Sequence, residues 1–161
     1  MKKVLLLLFV PGVLGLNTQD VIEVKYEETV VELEPKGIQP VITEKDLVNA
    51  LIHVESRGND SAIGDRHLVG NEAVGALQIR PIMVREVNRI LRIQKIDKRF
   101  KLKDRYDRQK TIEMFFIWKN FHHADSEPEV TARCWNGGSK GYKMKATEKY
   151  WKKVEAELFD S

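Results

Sequence analysis

From Thr43 onward the apolar positions of this chain recur at helical spacing. Leu47, Val48, Leu51, Ile52 and Val54 form one stripe within TEKDLVNALIHVE, which predicts a helix from about Glu44 to Ser56. Thr43 is a suitable N-cap, Asp46 completes a reciprocal capping pair, and Gly58 supplies the stop. The next stretch, NDSAIGDRHLVGNEAVGALQI, is rich in Gly, Asn and Asp with short apolar pieces, and reads as a loop or small hairpin sheet. Beyond it the helical period returns four times. PIMVREVNRILRI has Pro at its start, and DRQKTIEMFFIWKNFHH is strongly apolar on one side, as a central buried helix should be. EPEVTARCWNGG opens on acids and Pro and stops on a Gly pair, and ATEKYWKKVEAEL closes the chain. The expected class is α+β, predominantly helical, with one small sheet.

Glu55 stands out within this pattern. It lies four residues after Leu51 and seven after Val48, on the stripe that should face the core. Desolvation favours the protonated form of a carboxyl, so Glu55 is a candidate general acid. A helix-end Glu whose head simply reaches water is the competing reading.

Residues 1–16 begin with two lysines and a short apolar block, the layout of a secretory signal, without a clean small-x-small cleavage site. The expectation is an exported protein, periplasmic or extracellular, with an uncleaved N-terminal membrane anchor as the alternative. Residues 17–42 read as an acidic linker or tether ending in Pro35, Gly37 and Pro40, and residues 43–161 as the folded domain. The single cysteine, Cys134, excludes an intramolecular disulfide and is expected to be a buried structural thiol. Net charge is only +3, but its distribution is uneven. Residues 17–46 hold eight acids against three bases, and residues 80–123 hold thirteen bases against five acids. A solvated helix face accounts for the basic middle as well as an acidic partner does.

Four segments in order carry a resemblance: Glu55-Ser56 at a helix end, GALQI at 75–79, CWNGG at 134–138 and ATEKYWKKV at 146–154. Together they resemble the lysozyme-like lytic transglycosylases, which cleave peptidoglycan strands between MurNAc and GlcNAc. The resemblance spans about Thr43 to Leu158 and implies a lysozyme-like domain with its small sheet beside the catalytic cleft. It implies Glu55 as catalytic acid and base, with Ser56 bonding substrate or holding the helix end. Gln78, flanked by Leu77 and Ile79, would form a sheet edge along the sugar groove. Gly75 would allow close approach of the glycan or serve as a plain turn residue. Asn136 would face the cleft, and Tyr150 would point its hydroxyl at the acid or the substrate.

Two departures from the family pattern are visible. Trp135 stands where the family commonly has Tyr, which keeps a stacking surface and loses a hydroxyl; Trp151 is a second stacking candidate. Gly64-Asp65 resembles the goose-type lysozymes, in which an aspartate follows the catalytic Glu. Asp65 is therefore either a second carboxylate that positions water, giving hydrolysis, or a turn residue. A non-catalytic peptidoglycan-binding module on the same scaffold is the remaining alternative.

No cofactor is expected. No metal site is expected either, because the spacings of His53, His67, His122 and His123 do not place two ligands on one helix face. Nucleic acid is disfavoured as a partner by the export signal and the modest charge, and the chain is expected to act as a monomer.

Overall fold

The structure, a computed structural model, describes residues 41–159. The signal or anchor and nearly all of the linker lie outside the described residues. These residues form five α-helices and a two-stranded antiparallel sheet: α1 (Glu44–Ser56), β1 (Ile63–Gly64), β2 (Ala73–Val74), α2 (Pro81–Ile93), α3 (Arg108–His122), α4 (Pro128–Gly137) and α5 (Lys145–Phe159). Short 3-10 turns at Leu102–Tyr106 and Gly141–Lys143 lead into α3 and α5. The class is α+β and mostly helical, as the periodicity predicts.

α1 begins with the expected reciprocal cap. The Thr43 hydroxyl accepts from the Asp46 N–H at 3.2 Å, and the Asp46 carboxylate accepts from the Thr43 N–H at 3.0 Å. Its end falls at Ser56, as expected, and the left-handed turn begins one residue before Gly58. Arg57, at φ 52°, already adopts the left-handed conformation, and Gly58 follows at φ 76°. The reversal is held from a distance, since the Arg108 guanidinium donates to the Gly58 carbonyl and, at 2.9 Å, to Asp60 Oδ1.

One continuous core joins every helix. Leu47, Val48, Leu51 and Ile52 of α1 meet Val84, Val87 and Leu91 of α2, Met114, Phe115 and Trp118 of α3, Ala132 and Cys134 of α4, and Val154 of α5. α1 packs against α5 and α4, and α2 against α3. Each fully buried large side chain contributes about 1.5–3 kcal/mol relative to exposure, which matters for a domain without disulfides. Cys134 is a free thiol buried in this core, as expected.

The sheet pairs Ile63 with Val74 and Gly64 with Ala73. β2 then turns back on itself: Val74 and Ile79 exchange backbone bonds of 3.1 and 2.9 Å. Ala76, Leu77 and Ile79 of this small structure join the core, and a buried arginine binds its backbone carbonyls. Arg105 donates from Nη1 to the carbonyls of Glu72 (2.9 Å) and Ile79 (3.1 Å), and from Nε to that of Leu102 (2.9 Å). The turn fits beneath it because residue 75 is glycine. Gly75 sits at φ +81°, and a Cβ there would lie 1.8 Å from the Arg105 carbonyl oxygen.

Gly75→Ala should therefore destabilise the domain by roughly 3 kcal/mol or more, combining backbone strain with a backbone clash. Gly70→Ala, at φ +78° with open space around it, should cost only about 1 kcal/mol. Urea midpoints of the two variants test this; equal losses would refute the clash.

Candidate active site

Glu55 occupies the last turn of α1, half-buried at the wall of a cleft of about 850 Å³. That is within the range of roughly 300–1,000 Å³ usual for ligand pockets. Gly64, Asp65, Ala73, Gln78 and Ile79 of the hairpin region form one side of the cleft. Arg80, Ile82, Met83 and Glu86, at the start and along the exposed face of α2, form a second. Trp118 and His122 from α3 and His123 just after it, with Cys134, Trp135, Asn136, Gly138 and Ser139 from α4 and its end, complete it.

The Tyr150 hydroxyl of α5 donates to Glu55 Oε1 at 2.7 Å. The Glu55 carboxyl is pushed up from 4.5 to about 7, chiefly by desolvation. The negative charge of Asp65 pushes the same way, and the Tyr150 hydrogen bond works against both. Tyr150 is itself raised above the usual phenol range by burial and by the adjacent carboxylate, so it remains a donor. A carboxyl poised near neutrality can both deliver a proton and take one back, which is the property the helix stripe suggested for Glu55.

Asp65 lies on the same cleft, in the left-handed conformation at φ 51°. Its carboxylate receives the Arg80 guanidinium in an ion pair. Gln78 lines the cleft from φ 47°, but its amide nitrogen is committed to the carbonyls of Gly75 (3.0 Å) and Ala62 (3.4 Å). Ile79 forms part of the floor, buried yet on the lining. Asn136 is exposed at the rim. Trp135 lines the cleft and stacks edge-on against Phe115 and Trp118, with ring centroids 5.1 Å apart in each case.

Several expected positions fall elsewhere. Leu77 is fully buried in the core rather than placed along the groove edge. Ser56 is not on the cleft lining; its hydroxyl turns back to the Ile52 carbonyl at 3.2 Å, a local bond open to any helix-end serine. Gly75 is also off the lining, because its bare face is filled by the Arg105 carbonyl. Trp151 packs against the core without lining the cleft.

Other groups on the cleft were not anticipated. Trp118 is core, as its helix stripe indicated, but one edge also contributes to the cleft wall. Glu86 is lowered to about 2, mainly by Arg89, with a further contribution from His122 at 2.8 Å. His123 is lowered by burial first, then by the charges of His122 and Lys119. No local sequence signal joins Glu86 to His122. Arg80 had one: the Pro81 that follows excludes helical backbone at residue 80 and so leaves its side chain at the junction of hairpin and helix.

No protein-family model matches the chain, and no curated protein matches it.

Two outcomes follow from the electrostatics. In a carbon-13 titration, Glu55 should ionise near pH 7; Tyr150→Phe should move it higher and Asp65→Asn lower, since the first removes a hydrogen bond to the carboxylate and the second a like charge. The folded state also holds the Glu55 proton more tightly than the unfolded chain. The associated stability is thus complete below pH 4.5 and lost as pH rises through about 7. Relative to Glu55→Gln, the wild type should lose at most about 3 kcal/mol across that window. Parallel melting curves for the two proteins would contradict this.

Proposed function

We propose that this protein is a peptidoglycan-cleaving lytic transglycosylase of lysozyme-like fold, acting on the β-1,4 bond between MurNAc and GlcNAc. The observation that carries the reading is Glu55: a half-buried carboxyl, raised to about 7 and held by Tyr150, on the wall of a cleft of about 850 Å³. The four motifs that resemble the family add to it.

In this reading the protonated Glu55 gives its proton to the glycosidic oxygen, the bond from that oxygen to C1 of MurNAc breaks, and positive charge develops at C1. The resulting Glu55 carboxylate stabilises that charge and then takes the proton of the MurNAc C6 hydroxyl as its oxygen bonds to C1. The product ends in a 1,6-anhydro sugar, and Glu55 is protonated again. Tyr150 fixes the orientation of the carboxyl through both steps. Trp135 and Ile79 offer apolar surface to sugar faces, and Asn136 offers an amide to their polar groups. Ser56, Gly75 and the Gln78 amide nitrogen are assigned to holding the wall rather than to touching substrate. Residues 1–16 would direct export to the cell envelope or anchor the protein there, no cofactor is required, and the protein would act as a monomer on glycan strands.

One observation favours a second reading. Asp65 lines the cleft with Glu55 and is near enough to influence its ionisation, so a two-carboxylate muramidase that adds water at C1 is the alternative.

Digestion of purified peptidoglycan with mass spectrometry of the fragments separates these readings. The wild type should release anhydro-muropeptides, and Glu55→Gln should be slower by about 10²–10⁴-fold, the usual contribution of a general acid. Fragments heavier by one water would favour the muramidase. Wall binding by both proteins without release of fragments would leave a non-catalytic binding module.

A further inference from the structure

The ion pair between Asp65 and Arg80 bears on which product forms. Both partners are built into place. Asp65 directly follows the Gly64–Ala73 pair of the sheet, and its carbonyl accepts from the Leu68 N–H at 2.8 Å. Arg80 is fixed from both sides. Ile79 before it is bridged to Val74 and bonded through its carbonyl to Arg105, and Pro81 after it holds residue 80 extended, at φ −87° and ψ 157°. Arg80 stands at the N-cap position of α2, where a guanidinium has no acceptor to offer the first-turn N–H groups. Its guanidinium goes to the Asp65 carboxylate on the cleft.

We propose that Arg80 is a positioning residue that selects the product: by holding the Asp65 carboxylate in an ion pair, it keeps that carboxylate from activating water and leaves C1 to the sugar's own C6 hydroxyl. This rests on the transglycosylase reading above and deepens it. Once the C1–oxygen bond has broken, C1 has two possible partners. Attack by the C6 oxygen returns that hydroxyl's proton to the Glu55 carboxylate. Attack by a water oxygen on the face of C1 opposite Glu55 uses a second carboxylate to take the water proton; that carboxylate later returns it to solvent, and Glu55 regains its own from solvent. Of the two other carboxylates on the cleft, Asp65 is the one whose charge reaches Glu55, while Glu86 is paired with Arg89 and His122. The guanidinium on Asp65 Oδ2 neutralises the carboxylate and lowers its capacity to take a water's proton.

The prediction concerns product partition, which a loss of stability alone would not change. Arg80 is close to half exposed, with 47% of its side chain accessible, so its replacement should leave the fold intact, as a melting curve checks. Full-length wild type should give mainly anhydro ends. Arg80→Gln should raise the ratio of hydrated to anhydro ends about tenfold or more. Arg80→Lys, which keeps the charge, should stay near wild type. The double variant Asp65→Asn/Arg80→Gln should return to anhydro ends although it still lacks the arginine.

A second readout is the pH profile. The titratable groups that face Glu55 or share its cleft are Asp65, Glu86, His122, His123, Cys134 and Tyr150, besides the permanent charge of Arg80. Removing that charge leaves Asp65 unneutralised. The basic limb of the Arg80→Gln rate profile should therefore move to higher pH, and that of Arg80→Lys should not. An unchanged product ratio in Arg80→Gln, from an active wild type, would overturn the inference while leaving the transglycosylase reading in place. Mainly hydrated ends from the wild type would overturn it as well. Release of no fragment by the wild type would overturn the transglycosylase reading itself, and this inference with it.

Discussion

The hydrogen bond from Tyr150 to Glu55 is the interaction around which this domain is arranged. It joins residues ninety-five positions apart, so it exists only if α1 and α5 pack in one register. The buried faces of both helices enforce that register: Leu47, Val48, Leu51 and Ile52 on α1, and Thr147 and Val154 on either side of Tyr150 on α5. α4 packs on both helices. Close packing permits no sliding of one helix along the other without opening voids, so the Glu55 carboxyl is placed by the whole helical core. The same packing removes water from that carboxyl and pushes it toward neutrality.

The opposite wall is built on a different principle. A two-stranded sheet is marginal alone, and the burial of Leu77 and Ile79 in the core is joined here by polar clamping. Backbone carbonyls of Glu72 and Ile79 are bound by one buried guanidinium, Arg105, whose own carbonyl fills the space above Gly75. From this clamped unit Asp65 and Arg80 reach the cleft as a neutralised pair. Glu55 thus shares its cleft with a carboxylate that pushes its ionisation up, against the lowering hydrogen bond from Tyr150. At another part of the lining, Glu86 stays ionised with Arg89 and His122 as partners. The cleft therefore contains three carboxyl groups in three settings: one desolvated beside a phenol, one in an ion pair at the hairpin, and one between a guanidinium and an imidazole.

The helices were legible to within a residue or so because their signals are local. Thr43 and Asp46 cap α1 through groups three positions apart, Pro81 and Pro128 start α2 and α4, and the apolar stripes recur at the helical period. The candidate acid was legible for the same reason, since a carboxylate on a core-facing stripe is visible as an anomaly in the pattern. Gly75 shows the boundary of such reading. A glycine in a turn region was evident, but whether its open face met a ligand or a backbone depended on Arg105, far downstream in the chain. Ser56 was similar: its neighbour in sequence is Glu55, yet its hydroxyl is satisfied by its own helix.

What the sequence determined by itself was the set of helices, the loop or small hairpin between the first two, the thiol without a disulfide partner and the carboxyl on the buried stripe. All of these follow from groups within about two helical turns of one another, where chain geometry alone sets the distances. Only the tertiary structure decided that Tyr150 meets Glu55, that Arg80 holds Asp65, that Arg105 clamps the hairpin, and that Glu86 and His122 share a wall of the same cleft. Each of those contacts joins residues far apart in the chain through long side chains, and no local periodicity encodes such a distance. They are fixed when the apolar faces of α1 to α5 close on one core and carry the polar groups at their edges into one cleft.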